Sequence, residues 1–595
     1  MRTPIPALSL ALLVACSAPS NGPKAPPPEL ASALERARAD LTGGVPLDAL
    51  VSLDEALALA PDSLEAWTMR AQALQAASNQ RGDANFLEDA VEAWKRAAAL
   101  GAGPEAQFGA SKAAREAGKV ALALEFAVAG LAARTDPSQE ELRIAAEAHF
   151  SAYLERKQAE TPTQPLFDAT DGLLLRLAEL APTDPWAFGQ IANLYQWEGR
   201  LDGACEALAS ALELDLDNEP LHSRFVVLKT QVEGPEGVLA FYESLCARKP
   251  QAALPQWFAA QALFDTNVGN VASDATTAEK LARAEGHYTK CRELKPDYAS
   301  ACQGYEVMCR AGIGWAKFHA GDLDGAERAF RSMEDVFPGG MEWQLEGRLK
   351  SGVMGLQYVA DKALRESADR GGVFEVSALA RAARIYAVLH AYRPGDADFA
   401  NNCGFFHRDW GVGCIFKARE YRAMAAGSSD PAVRELDLAL AAQELARAAK
   451  ILATCRDAYL VAAQLAPQDV RVVNDAALIL VYHFPSRADE AEQLLLQCVA
   501  NGAAQKDAGT LPAQALDTLV EAWGDAHQNL GMIELMHRHN PAKAREWFEK
   551  TLAIGPLPRV PREWVQQVAL PLCDAVAAGK PLDLELLDPR IELLE

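Results

Sequence analysis

A chain of 595 residues and 64.0 kDa is long enough for several domains, and half of it is hydrophobic. Only 7% is aromatic while alanine recurs throughout, a composition suited to closely packed helices. The formal net charge of -24 and a pI near 5.0 set most of the surface against a phosphate backbone, so nucleic acid is not an expected partner.

The chain opens MRTPIPALSLALLVACSAPSNG. Arg2 supplies a positive start, Ile5 to Val14 an apolar run too short to span a bilayer as a permanent helix, and Leu13-Val14-Ala15-Cys16 a cleavage pattern. This resembles the bacterial lipobox. The resemblance implies a signal peptide over 1–15 and lipid on the sulfur and new amine of Cys16, and several acyl chains hold a protein stably at a membrane. Ser17 stands where an inner-membrane retention signal of the enterobacterial type has Asp, so the expected location is the bacterial cell envelope, at the outer rather than the inner membrane. An ordinary secretory signal that contains Cys is the alternative. Residues 16–28, rich in Ser, Ala, Asn, Gly and Pro, read as a flexible tether.

Helical periodicity begins near Glu29. Glu29 to Leu41 and Leu47 to Ala60 read as a first hairpin, with Ala49, Leu53 and Ala56 in its second helix at the spacing that recurs in the later units. Trp67 and Ala71, then Ala90, Trp94 and Ala97, make the next, with a polar loop expected over Ala77 to Asn85. Glu105 to Ala117 with Lys119 to Ala133, and Gln139 to Gln158 with Leu166 to Ala181, come next. The clearest stretch is Pro185 to Asp217, where Phe188, Ile191, Ala192 and Tyr195 recur at helical spacing, Gly199 breaks, and Ala204, Leu208, Ala211 and Leu212 resume the pattern. A shift of 34 residues returns the same positions: Leu174, Leu208 and Tyr242 form one ladder, and Leu177, Ala211 and Leu245 another. Pro182, Leu216 and Pro250 close these units. The pattern of small residue, aromatic, alanine and large apolar residue resembles the tetratricopeptide repeat. It implies an all-α fold, a right-handed α-solenoid of tetratricopeptide-like helical hairpins, over 29–396 and again over 468–556.

Beyond Pro250 the units lengthen while the second helices keep the pattern: Ala284, Tyr288 and Cys291; Ala326, Phe330 and Met333; Ala382, Tyr386 and Leu389. Asp265 to Thr277 reads as irregular and Asp369-Arg370-Gly371-Gly372 as a turn. Over 397–467 a first helix begins at Asn402, but its matching second helix appears only at Cys455, Tyr459 and Ala462. Periodicity runs on between them, broken only at Gly427 to Pro431, so the spacing predicts a lengthened hairpin whose second helix reaches about 50 Å at 1.5 Å per residue. Gly411 and Gly413 are candidate kinks in its first arm. Val470 to Val481 with Glu490 to Ala500 forms a further unit, followed by an expected loop over Asn501 to Thr510. A last one holds Asn529, Ala544 and Phe548. Over 557–595, Glu563 to Ala578 reads as a capping helix, and Pro581 to Glu595 has no assignable register.

Chemistry-bearing motifs are sparse. Ten cysteines remain after Cys16, an even number in a compartment that permits disulfides; several stand in positions that call for small buried residues, so buried thiols acting as small hydrophobes are expected, with disulfides as the alternative. Cys302 with Cys309 and Cys403 with Cys414 lack the paired spacing of a zinc site. His537-Arg538-His539, near His527, reads as a solvated helix end, and Gly312-Ile313-Gly314 as close helix packing. No protease, hydrolase, phosphate-loop or dinucleotide motif is present. No catalytic residue, metal or cofactor is therefore expected.

In tetratricopeptide proteins the first helices line a ligand groove. Carried onto this chain, the groove positions hold Gln190, Asn193 and Trp197, then Asn402 and Arg408, Arg471 and Asn474, and Asn529. Amide side chains can pair with both N–H and C=O of an extended peptide. The repeated Lys and Arg of that family's carboxylate clamp are missing. The resemblance implies a non-catalytic scaffold for envelope proteins or extended peptide segments, in assembly or secretion. The alternatives are an enzyme or enzyme subunit with its site in the solenoid groove or under the Asn402 to Trp410 segment, where His407 and Asp409 crowd with Asn, Cys and Arg, and a glycan or peptidoglycan binding module.

Overall fold

The computed structural model describes residues 27–268, 275–343, 350–368, 375–554 and 559–594. Cys16, the turn at 369–372 and Pro556 lie outside them. The described residues are helical with no strand, and the chain divides into two units, Met1–Pro255 and Gln256–Glu595.

The first unit is a succession of antiparallel hairpins: α1 (Pro28–Thr42) with α2 (Pro46–Leu59), α3 (Leu64–Arg81) with α4 (Asn85–Ala99), α5 (Pro104–Glu116) with α6 (Val120–Ala133), α7 (Gln139–Gln158) with α8 (Gln164–Leu180), and α9 (Pro185–Trp197) with α10 (Leu201–Leu214). The last pair shows why the sequence folds this way. Asp184 caps α9 by accepting from Trp186 N at 3.0 Å, Pro185 fits the first turn, and Gly199 reverses the chain at φ 75°. Ile191, Ala192 and Leu194 of α9 are buried, as are Ala204, Leu208 and Ala211 of α10. Alanines bring the helices close, and each fully buried leucine contributes about 2–3 kcal/mol. α11 (Glu219–Arg248) is itself a hairpin, broken at Gly234 with φ 74° and folded so that His222 Nδ1 lies 3.0 Å from the Tyr242 hydroxyl. Both ladders are buried throughout.

After α12 (Ala253–Val268), which crosses the division, come α13 (Ala275–Leu294), α14 (Ala299–His319) with α15 (Leu323–Ser332), and α16 (Gly352–Ala368) with α17 (Val376–Tyr392). Next are α18 (Ala397–Gly427) and α19 (Pro431–Leu465), of 31 and 35 residues, then α20 (Val470–His483) with α21 (Ala488–Ala508), and α22 (Ala513–Met532) with α23 (Pro541–Ala553). α24 (Arg559–Trp564) and α25 (Leu570–Ala577), joined by a wider π-helical turn, cover the last hairpin. This is a solenoid of tetratricopeptide-like hairpins.

Several local expectations are corrected. Helix α3 runs on to Arg81 and α21 to Ala508, so the expected loops over Ala77 to Asn85 and Asn501 to Thr510 shrink to a few residues. Asp265 to Val268 and Ala275 to Thr277 are helical rather than irregular. Helix α18 continues through Gly411 and Gly413 without a break. A Cβ on Gly411 would lie 2.6 Å from Leu452 Cγ, so that glycine permits close contact with α19 instead of a kink. His537 is only half solvated, its Nε2 lying 2.8 Å from the Val481 carbonyl, while His539 is exposed.

The segment without register returns to the body of its unit. α26 (Leu584–Leu587) is a single turn, and Leu587 and Ile591 are fully buried. Arg419 of α18 donates to the carbonyls of Pro589 and Ile591 at 2.5 and 2.7 Å. His483 Nδ1–H donates to the Glu592 carbonyl at 3.0 Å, Leu594 N–H donates back to the His483 carbonyl at 3.2 Å, and Tyr482 donates to Asp588 at 3.1 Å.

Candidate functional site

Three first helices, α18, α20 and α22, put their polar residues around one open cavity of about 420 Å³. Caps set the start of two of them: Asp396 accepts from Phe399 N, and Asp469 from the amides of Arg471 and Val472. In α18 the opposite face is pressed onto α19, because Gly404 leaves room for the Tyr459 ring, where a Cβ would come within 2.5 Å. Asn402, Phe405 and Arg408 thereby turn to the cavity.

Arg408 organises the floor. Its Nε donates to Asp409 at 3.0 Å, Nη1 is 3.7 Å from Asp475, and the guanidinium lies 4.7 Å over the Phe405 ring. Burial pulls its pKa down, but Tyr459, Asp409 and Asp475 more than offset this, and it is raised overall. Asp475 is shifted up by burial despite Arg408 and Arg471. Asp525, on α22, is pushed up to about 7 by burial and then by the charges of Glu521 and Asp475, with Arg590 opposing. Asn529 donates to Asn474 at 3.1 Å, with both side chains buried. Asn401 is 4% exposed, and its Oδ1 has no hydrogen-bond partner; neither has the buried Tyr459 hydroxyl.

Of the residues read from the sequence, Asn402, Arg408, Arg471 and Asn474 meet in this cavity, and Asn529 reaches it through Asn474. Gln190, Asn193 and Trp197 lie in the first unit. There Asn193 donates to Gln190 at 3.0 Å, and Trp197 is 49% exposed. Repeat register does not point to Asn401, Asp475, Glu521 and Asp525. For Glu521 and Asp525 the signal is the spacing Glu521, Asp525, Asn529, one polar stripe on a helix recognised only by its last residue; Asn401 and Asp475 carry no such signal.

The crowded segment Asn402 to Trp410 is not a nucleophile centre. His407 turns inward, its Nδ1 2.7 Å from the Cys403 carbonyl and 3.6 Å from Cys403 Sγ, and burial lowers its pKa. Burial also pushes the Cys403 thiol up to about 12, opposite to the shift that activates a thiolate. All ten cysteines among the described residues are free and buried, and no group of three or more metal-ligating side chains occurs among them. Along α18, a second cavity of about 830 Å³ opens where Val412, Phe416 and Arg419 face Glu585 and Pro589.

Fold and site define a tetratricopeptide-like helical-repeat protein with a polar pocket on its first helices. No protein-family model matches the chain, and no curated protein matches it. Among solved structures, it is similar to the C-terminal part of a TPR repeat-containing protein from Cytophaga hutchinsonii (13% identity, covering 51% of this chain and 95% of that one, TM-score 0.29). It is also similar to a tetratricopeptide repeat protein from Parabacteroides merdae (13%, 56% and 98%, TM-score 0.23) and to the Naa15/Naa10 complex bound to HypK-THB (12%, 93% and 78%, TM-score 0.29). At this level of identity the matches assign no partner and no activity.

Proposed function

We propose that this protein is a non-catalytic scaffold that binds an extended protein segment along the face made by α18, α20 and α22. We further propose that lipid on Cys16 holds it at a bacterial envelope membrane. The observation that carries the binding role is the segment 588–594. Beside the cavity it is held through its main chain, with carbonyls accepting from Arg419 and His483 and an amide donating to the His483 carbonyl. That is the chemistry of peptide recognition, in which main-chain bonds give affinity and side-chain pockets give choice. The cavity extends the same face with amides and charged groups, among them the buried Asn401 Oδ1, which has no hydrogen-bond partner. An enzymatic role loses its strongest candidate with the inward His407 and the buried Cys403 thiol.

The test is photo-crosslinking in cells of the native bacterium, with photoreactive residues at Asn402, Phe405 and, on the first unit, Trp197. A recurring protein captured from Asn402 and Phe405 is the expected result. Glycan or small-molecule adducts without protein would overturn the scaffold reading. Cys16→Ser should move the protein to the soluble fraction after a salt wash; retention at the membrane would refute the lipid anchor.

A further inference from the structure

The cavity's chemistry selects more narrowly than an extended segment of any sequence. Building on the peptide-binding role proposed above, we infer that the bound segment inserts a lysine or arginine side chain between Asn401, Asp475, Glu521 and Asp525.

Three carboxylates line the cavity against two guanidiniums, those of Arg408 and Arg471. Arg408 is committed to Asp409 and Asp475, and its guanidinium sits 4.7 Å over the Phe405 ring. The Asn401 carbonyl oxygen, in a side chain only 4% exposed, has no donor at all. A buried acceptor without a donor has lost its water without replacement, so a ligand that brings N–H groups restores the missing hydrogen bond. Carboxylates this close also repel one another, and a cation relieves both penalties at once. An anionic group, such as a free carboxy terminus or a phosphate, would add to the repulsion instead. At the rim the exposed Phe405 ring offers a face to the aliphatic stem or the cation itself.

The neighbouring segment supplies a precedent within the same chain. Arg590 makes a bidentate pair with Asp588, its guanidinium 5.5 Å over the Tyr482 ring, and lies within electrostatic reach of Asp525. A guanidinium carried on a non-helical turn, closed by Ile591 N–H donating to the Asp588 carbonyl at 3.1 Å, is thus already accommodated at the cavity's edge.

The test is selection of displayed random twelve-residue peptides on the full-length, detergent-purified protein. Enriched peptides should share a Lys or Arg at one position, and replacing it with norleucine or citrulline should weaken binding about tenfold or more. Glu521→Gln with Asp525→Asn, checked for native helicity, should weaken the same peptides similarly. If peptides sensitive to Phe405→Ala are enriched but carry neutral or acidic residues at the common position, the cation assignment is overturned and the peptide groove stands. If no enriched peptide responds to Phe405→Ala or Asn402→Ala, both are overturned.

Discussion

Asp525→Asn should make the second unit more stable, and only above mildly acidic pH. In the unfolded chain this carboxyl ionises near its ordinary 3.8; in the fold, burial and the neighbouring Glu521 and Asp475 push it up to about 7. The folded state therefore binds the extra proton between those values, and stability falls as pH rises from about 4 to 7, staying low beyond. Three pH units at 1.36 kcal/mol each set the penalty at about 4 kcal/mol by pH 8, and at about 1.5 kcal/mol at pH 5. Asparagine carries no charge and keeps the acceptor for Gln528, which donates to Asp525 at 3.4 Å. A long repeat array need not unfold as one unit, so the assay is hydrogen exchange of the α22 amides, which reads the opening of that helix directly. The variant should gain stability over wild type at pH 8, lose most of the gain at pH 5 and all of it near pH 4. A gain that does not change with pH, or a loss at pH 8, would refute the electrostatic account.

Acid should loosen the 588–594 segment. Burial pushes His483 down to about 4, so the stability that the neutral ring contributes is present above 6.5 and is lost as pH falls toward 4; protease cleavage within 588–594 should rise over that window. Arg419→Ala removes two charge-assisted bonds to the Pro589 and Ile591 carbonyls and should cost about 2–4 kcal/mol of docking, read by exchange of the Leu594 amide. Gly404→Ala gains about 1 kcal/mol of helix propensity but puts a methyl 2.5 Å from the Tyr459 ring, and overpacking of about 1–3 kcal/mol should lower the melting temperature. Gly172→Ala, in α8 with nothing within 4 Å of the new methyl, should raise it.

The hairpins were legible because their packing rule is local. An alanine where helices cross and a large residue one turn on repeat with the fold, as Ala204 and Leu208 do, and both are fully buried. Helix ends were less legible because a glycine has two physical uses. Gly199 reverses the chain at positive φ, whereas Gly502 sits inside α21 beneath the Trp523 ring, where a Cβ would come within 2.6 Å; the sequence alone gives them the same letter. At the site, repeat register placed Asn402, Arg408, Arg471 and Asn474 on the lining face. Asp475 and Asp525 were hidden among 81 acidic residues, since only tertiary burial separates a perturbed carboxylate from a solvated one. The segment 588–594 has no register, and its partner Arg419 lies 170 residues from Pro589.

The ten free, buried cysteines carry a consequence for how this chain is made. In the oxidising compartment proposed for it, thiols are safe only once folding has hidden them. From α10 onward, each hairpin that carries cysteine must close on it before an oxidant or a neighbouring thiol finds it. Refolding yield from denaturant should therefore rise with added reductant although none of the ten described cysteines is in a disulfide, and loss of the folded state in the absence of reductant becomes a one-way step whose rate, rather than its equilibrium, sets the protein's lifetime.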